Sequence, residues 1–297
     1  MTLTLPSAAE EMRVALEPLI TLEVDLSIAQ RRATLSSYLK SAYGTDLTVP
    51  LRLDRPTIIA NFVSTIDGVV SYNTPEQAGG GEISGFYKPD GFVMGLLRSV
   101  SDAVLIGAGT LRAAPDQAWS PRYTHPPSAD EYARLRNDLG LSPEPTTVVV
   151  TARSDIDLGQ RGMRDPSVPV LIITTDKGLG NLRWQQPFAG HVEVVSVGDG
   201  DDVPATEIVR LLNERGMSVV LCEGGPHLFG QMLDARLVDE LFLTVAPQVA
   251  GRATETARLS LVEGSAFTVK GAPWSRLADI RKSGDHLFLR YQFGEVR

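Results

Sequence analysis

The chain has 297 residues, 43% of them hydrophobic and 22% charged, with a formal net charge of -8 at pH 7. That length buries a sizeable core without staples, and the acidic balance excludes the broad basic face that nucleic acid or an anionic membrane surface requires. The single cysteine, Cys222, excludes an internal disulfide framework and Cys-rich zinc sites, and no run approaches the ~18 apolar residues of a membrane span, so a cytoplasmic protein without a metal is expected.

Residues 8–42 read as two short amphipathic helices, Leu16, Leu19 and Ile20 lining one and Ile28, Leu35 and Leu39 the next, divided near Pro18. They form a helical extension over residues 1–50, ahead of a main domain over 51–297. The run 57–63 is mostly apolar and suits a buried parallel strand. A helix over 86–99 follows, then strands at 103–106, 148–150, 170–174 and 192–197. The Pro-rich stretch 120–127 reads as a surface loop. Further on, helix 205–215, strand 218–222, helix 226–234 and strand 240–245 continue the alternation. Residues 274–282 and 286–293 close the chain as an antiparallel hairpin around Ser283-Gly284-Asp285. This order predicts a three-layer α/β fold with a mainly parallel central sheet.

Two turns carry ligand chemistry. Gly107-Ala108-Gly109-Thr110 follows a strand, and its glycines let backbone approach a ligand closely while Thr110 adds a hydroxyl. A full dinucleotide fingerprint needs glycine at position 112, where Arg112 stands, so an ordinary Rossmann domain is disfavoured. Glu223-Gly224-Gly225-Pro226-His227-Leu228 joins a strand to a helix whose first N–H groups would face a phosphate, or it is simply a tight connection. Ser64, Asp67, Thr110 and Glu223 all fall at predicted strand ends and can share one cleft, although Asp67 also suits an Asp-Gly turn.

Arg55-Pro56, Asn61 through Gly68, Leu97-Arg98, Gly107 through Thr110, Glu223 through Pro226, Leu237 through Leu241 and Thr244 through Pro247 together resemble the pyrimidine reductase family of riboflavin biosynthesis. The resemblance spans about residues 55–290. It implies a dihydrofolate-reductase-like domain, usually a homodimer, that transfers hydride from NADPH to 5-amino-6-(5-phosphoribosylamino)uracil. Reduction of dihydrofolate or another heterocycle is an alternative, and a non-catalytic NADP(H)-binding protein is another. Relatives often carry a zinc deaminase with His-x-Glu and Pro-Cys-x-x-Cys signatures; the single cysteine leaves no Pro-Cys-x-x-Cys in this sequence, so that domain is not expected.

By the same resemblance, Ser64, Gly107, Gly109 and Thr110 would support the cofactor, and Gly224, Gly225, Pro226, His227 and Leu228 would hold its phosphates. Thr151 and Arg153 would meet its adenosine end, where a guanidinium favours a 2′-phosphate. Arg98, Glu223, Asp116 and Arg122 would bind substrate, Arg98 also being placed to cap its helix. Glu223 or Asp67 would position or donate the proton, with Asp116 a further candidate. Asp116 lies further from Thr110 than the acidic residue common in the family.

Overall fold

A computed structural model describes residues 15–21, 29–74, 77–182, 187–253 and 255–294. The described elements begin with β1 (Glu17–Thr21), β2 (Gln30–Ala33), α1 (Ser37–Tyr43) and β3 (Leu47–Pro50). Next come β4 (Thr57–Thr65), β5 (Val69–Ser71), α2 (Gly80–Ser84), α3 (Lys88–Ser99), β6 (Ala103–Gly107) and α4 (Ala108–Ala113). The middle holds α5 (Pro121–Thr124), a 3-10 turn (Pro126–Ser128), α6 (Ala129–Asp138), β7 (Thr146–Val150), α7 (Arg161–Arg164), β8 (Val170–Thr174), α8 (Asp176–Leu182) and β9 (Val192–Ser196). The remainder is α9 (Ala205–Glu214), β10 (Val219–Cys222), α10 (Pro226–Asp234), β11 (Glu240–Ala246), β12 (Leu259–Ser260), β13 (Ser275–Ser283) and β14 (His286–Phe293).

One ten-stranded sheet runs in the order β1-β13-β14-β11-β4-β10-β6-β7-β8-β9. From β11 to β9 every pairing is parallel, and β14, β13 and β1 add to the other side antiparallel. Parallel strands are buried on both faces, and alternate side chains divide the core in two. Ile59, Val104, Ile106, Val149, Val219 and Leu221 pack against α1, α3 and α6. Ile58, Ala60, Leu105, Val148, Val220 and Cys222 pack against α9 and α10. Each fully buried aliphatic side chain contributes about 1.5–3 kcal/mol, so this double facing is what holds the three layers together. The expected three-layer α/β fold and its terminal hairpin are present. Among the described residues no helix is long and apolar enough to cross a membrane.

Two expectations need correction. Residues 17–21 and 30–33 are strands, and within 29–42 only the segment beginning at Ser37 is helical; residues 8–14 and 22–28, with Ile28, lie outside the described residues. Leu19 and Ile20 are exposed on β1, and only Leu16 turns into the core beside α1. β1 is an edge strand whose register to β13 shifts at Pro18, and an edge bulge accommodates a residue that has no N–H to donate. The stretch 120–127 is not a surface loop: it folds into α5 and the 3-10 turn, with Trp119, Ser120, Pro121 and His125 buried. Burial of the Trp119 ring draws the segment inward, where Gly162 on α7 leaves room for the indole.

Candidate functional site

The two glycine turns meet. Gly107 caps α4 and Gly225 caps α10, neither with a side-chain hydrogen bond, and the Gly225 N–H donates to Thr110 Oγ1 at 2.9 Å. Thr110 therefore acts first on the neighbouring turn. Pro226 fills the first helical position, where an N–H would be unpaired, and the amides of His227 and Leu228 open the helix behind it. A Cβ built on Gly107 or Gly109 would meet nothing within 4 Å, so these glycines border open space. Backbone amides at two helix entrances, beside glycines that border open space, suit an anionic ligand such as a pyrophosphate.

Next along the sheet, Thr151 follows β7 and is buried, its hydroxyl accepting from the Ser154 N–H at 2.9 Å. The turn is locked by Ser154 Oγ to Thr174 Oγ1 at 2.8 Å and by Thr175 Oγ1 donating to the Ala152 carbonyl at 2.7 Å. Arg153 projects from this rigid turn, exposed, and its guanidinium has no ion-pair partner among the described residues. It is available to a phosphate in a way that a paired arginine is not. Ser64 lies buried at the end of β4, in register with Val245 of β11.

Arg98 and Glu223 do come together, but chiefly with each other. Arg98 Nη2 lies 2.6 Å from Glu223 Oε2 and Nε donates to both carboxylate oxygens, with side-chain exposures of 3% and 8%. Arg98 also donates to the Ala118 carbonyl at 3.2 Å and to Thr124 Oγ1. Its guanidinium is therefore a strut tying α3 to the end of β10 and to α5. Arg136 caps the carbonyls of Arg98, Ser99 and Ser101, which fixes the strut's base. Glu223 remains the acidic group at the strand end, its charge matched by Arg98.

The other predicted polar residues separate from this centre. Asp67 is exposed and accepts from Thr65 Oγ1 at 2.6 Å, Ala250 N at 3.0 Å and Gly251 N at 2.6 Å. These donors hold its carboxyl down at about 2, so it stays ionised and is a loop clamp, not a proton donor. Arg122 is tied to Asp165 at 2.6 Å and Glu144 at 3.1 Å, residues leading into β8 and β7 at their amino ends, away from the strand ends that carry the glycine turns. Asp116 is exposed, and its backbone carbonyl accepts from Arg161 at 3.3 Å.

The sequence reading missed Asp90. It lies in the first turn of α3, is 7% exposed, and has the Thr244 and Ser84 hydroxyls and the Glu223 carboxylate as neighbours. Burial pushes its carboxyl up to about 6. The one sequence signal, an acidic residue after Pro89 at a helix start, also describes ordinary helix capping.

Residues 56–287 match the model of the RibD C-terminal domain. The chain is 25% identical over 240 residues to the 2,5-diamino-6-ribosylamino-4(3H)-pyrimidinone 5′-phosphate reductase of Archaeoglobus fulgidus, covering 80% of this chain and 99% of that one. A pyrimidine reductase-like protein from Corynebacterium diphtheriae shares the fold with a TM-score of 0.64 at 20% identity, over 81% of this chain and 93% of that chain. The deaminase/reductase of Thermotoga maritima superposes with a TM-score of 0.60 at 20% identity, over 81% of this chain and 57% of that one.

Proposed function

Because the chain belongs to the RibD C-terminal domain family, we propose that it is an NADPH-dependent reductase of a phosphorylated ribosylaminopyrimidine in riboflavin biosynthesis. The observation that carries this reading is the junction of the two glycine turns through Thr110 and Gly225, at the carboxyl ends of β6 and β10. Ligands of open α/β sheets gather at such strand ends. The substrate is 5-amino-6-(5-phosphoribosylamino)uracil or its 2-amino counterpart, the latter being the substrate named for the archaeal relative.

The residues present fit NADPH. His227 and Leu228 amides would receive its phosphates, Gly107 and Gly109 would let it approach, and Arg153 on the turn after β7 would pair with a 2′-phosphate. When bound, it supplies the hydride that reduces the ribosyl carbon. Ser64 borders the same strand end, and Glu223, held by Arg98, presents a fixed carboxylate toward the pyrimidine. Turnover within a homodimer in the cytoplasm is the setting we propose.

The test is to follow loss of NADPH absorbance by purified protein with each ribosylaminopyrimidine phosphate and, separately, with dihydrofolate. Oxidation with a pyrimidine supports the reading. Oxidation only with dihydrofolate replaces the substrate, and NADPH binding without oxidation by any of them removes the assignment. Arg153→Ala is expected to cut the preference for NADPH over NADH by ~10-fold or more, the scale of one charge-assisted phosphate contact.

A further inference from the structure

The terminal hairpin carries charge on a face where a core is ordinarily apolar. Arg290 and Gln292 of β14 pair in register with Phe242 and Glu240 of β11, and Asp279 and Arg281 of β13 with Arg290 and Phe288 of β14, so all of them share one face. Tyr43 and Leu47, from the chain before residue 51, pack on that face with Phe242 and Phe288. Arg281 is 3% exposed, Arg290 9% and Glu240 0%. Arg281 has its donors met: Nε by Asp279 at 2.5 Å, Nη2 by Thr45 Oγ1 at 2.9 Å and Nη1 by the Tyr43 carbonyl, with the guanidinium 4.0 Å from the Tyr43 ring. Arg290 does not. Among the described residues it donates from Nη2 alone, to Glu240 at 2.7 Å and to the Thr48 carbonyl at 2.6 Å, and its buried Nε has no acceptor.

A cavity of about 50 Å³ lies beside these groups, with Thr45, Thr48, Arg276, Arg281 and Arg290 in its wall. One water needs ~10–15 Å³ of such space, so the cavity holds several waters or one small oxyanion. Charge decides between them. Asp279 pairs with Arg281, Glu240 with Arg290, and Asp46 in the wall with Lys40. Arg276 donates to Gln292 Oε1 at 2.6 Å and has no carboxylate partner among the described residues, so its positive charge is left over. Water would meet the idle donor of Arg290 and leave that charge unmatched, whereas an oxyanion answers both.

We infer that this cavity binds a phosphate-sized oxyanion, free or as the end of a phosphate monoester, between Arg290, Arg276 and Thr45, whose hydroxyl accepts from Arg281 and keeps its own proton to donate. The site is separate from the glycine turns, because β4 and β11 stand between β10 and the hairpin. Part of its wall, Tyr43 through Thr48, lies outside the residues 56–287 that match the family. An ion held there clamps the chain before residue 51 onto the hairpin.

The experiment titrates the full chain, with NADP⁺ in excess to occupy the cofactor turns, using sodium phosphate against sodium chloride of equal ionic strength, and reads calorimetric binding and melting temperature. Saturable phosphate binding is expected with a dissociation constant on the order of 1 mM, the strength of two or three charge-assisted hydrogen bonds, together with a rise in melting temperature that chloride does not give. Arg276→Gln, at an exposed position, should weaken phosphate binding by ~10-fold, one charge-assisted contact, and Arg153→Ala at the cofactor turn should leave it unchanged. Ribose 5-phosphate identifies the source: displacement of phosphate from wild type, weakened in Arg276→Gln, supports a monoester, and no displacement supports the free ion.

Wild type that binds phosphate no better than chloride overturns the inference, leaves water as the content of the cavity, and needs no variant to fold. Binding that Arg276→Gln retains in full, or that Arg153→Ala abolishes, also overturns it, because the ion then sits elsewhere. None of these outcomes depends on NADPH oxidation, so the reductase reading stands or falls separately.

Discussion

Two aspartates beside β4 have opposite environments, and stability should report both. Asp90 is buried with its carboxyl raised to about 6, so between about pH 4 and pH 6 the folded chain holds a proton that the unfolded chain has released. Stability contributed at this position is therefore lost as pH rises through that window. Asp90→Asn should raise stability at neutral pH by up to about 3 kcal/mol, the gain vanishing below about pH 4, as read from urea midpoints across pH. Asp67 has the reverse sign. Its carboxyl is held near 2 by Thr65 and the Ala250 and Gly251 amides, so its contribution is present above about pH 4 and fades as pH falls toward 2. Asp67→Asn should flatten that acid limb and leave NADPH binding unchanged. Glu223→Gln should cost turnover and about 3–5 kcal/mol of stability, because Arg98 is left buried with an unmatched charge, while NADPH affinity changes little. Equal loss of NADPH binding would move Glu223 into the cofactor site.

Among the elements, the entrances of α4 and α10 are coupled by one hydroxyl, and the turn after β7 by several. Thr110→Val keeps the shape of the side chain and removes the acceptor of the Gly225 amide. The expected effect is about 1–3 kcal/mol of destabilisation with weaker NADPH binding, measured by denaturation and fluorescence titration. Gly178 on α8 has no room for a methyl group: a Cβ there would sit 1.9 Å from Thr174 Oγ1 and 2.7 Å from the Ala152 carbonyl. Gly178→Ala should push α8 off the turn that carries Arg153, lowering the melting temperature and NADPH affinity together. A variant as stable as wild type would show that this turn yields where the hydrogen bonds suggest it is rigid.

At the scale of the whole molecule, β1, from the segment before residue 51, is built into the ten-stranded sheet, while β2 and β3 pair in a small sheet of their own. β1 pairs with β13, and the Arg281 guanidinium bonds to the Tyr43 carbonyl and, at 2.9 Å, to Thr45 Oγ1. Arg290 reaches the Thr48 carbonyl at 2.6 Å beside its ion pair with Glu240. Removing residues 1–50 should strip these partners from buried guanidinium groups and bare the β13 edge, giving aggregated or unstable protein by size-exclusion chromatography and thermal unfolding. A monodisperse, cooperatively folding remainder would establish 51–297 as an independent domain.

The layers were legible in the sequence because their signals are local. Apolar runs such as 57–63 and 170–174 dictate buried strands, and Gly225-Pro226 dictates a helix start, from the chemistry of adjacent residues alone. The glycine turns of the candidate site were readable for the same reason. Tertiary structure alone decided what depends on distant partners. β1 is a strand because β13 lies beside it, Glu17 opposite Lys282, although its spacing reads as helical. Arg98 and Glu223, 125 residues apart, neutralise each other, which no local pattern encodes. Asp90 is ordinary in the sequence and is set apart only by the packing of β11 and α2 around it, since burial and neighbouring charge set a carboxyl's ionisation and both are properties of the folded chain.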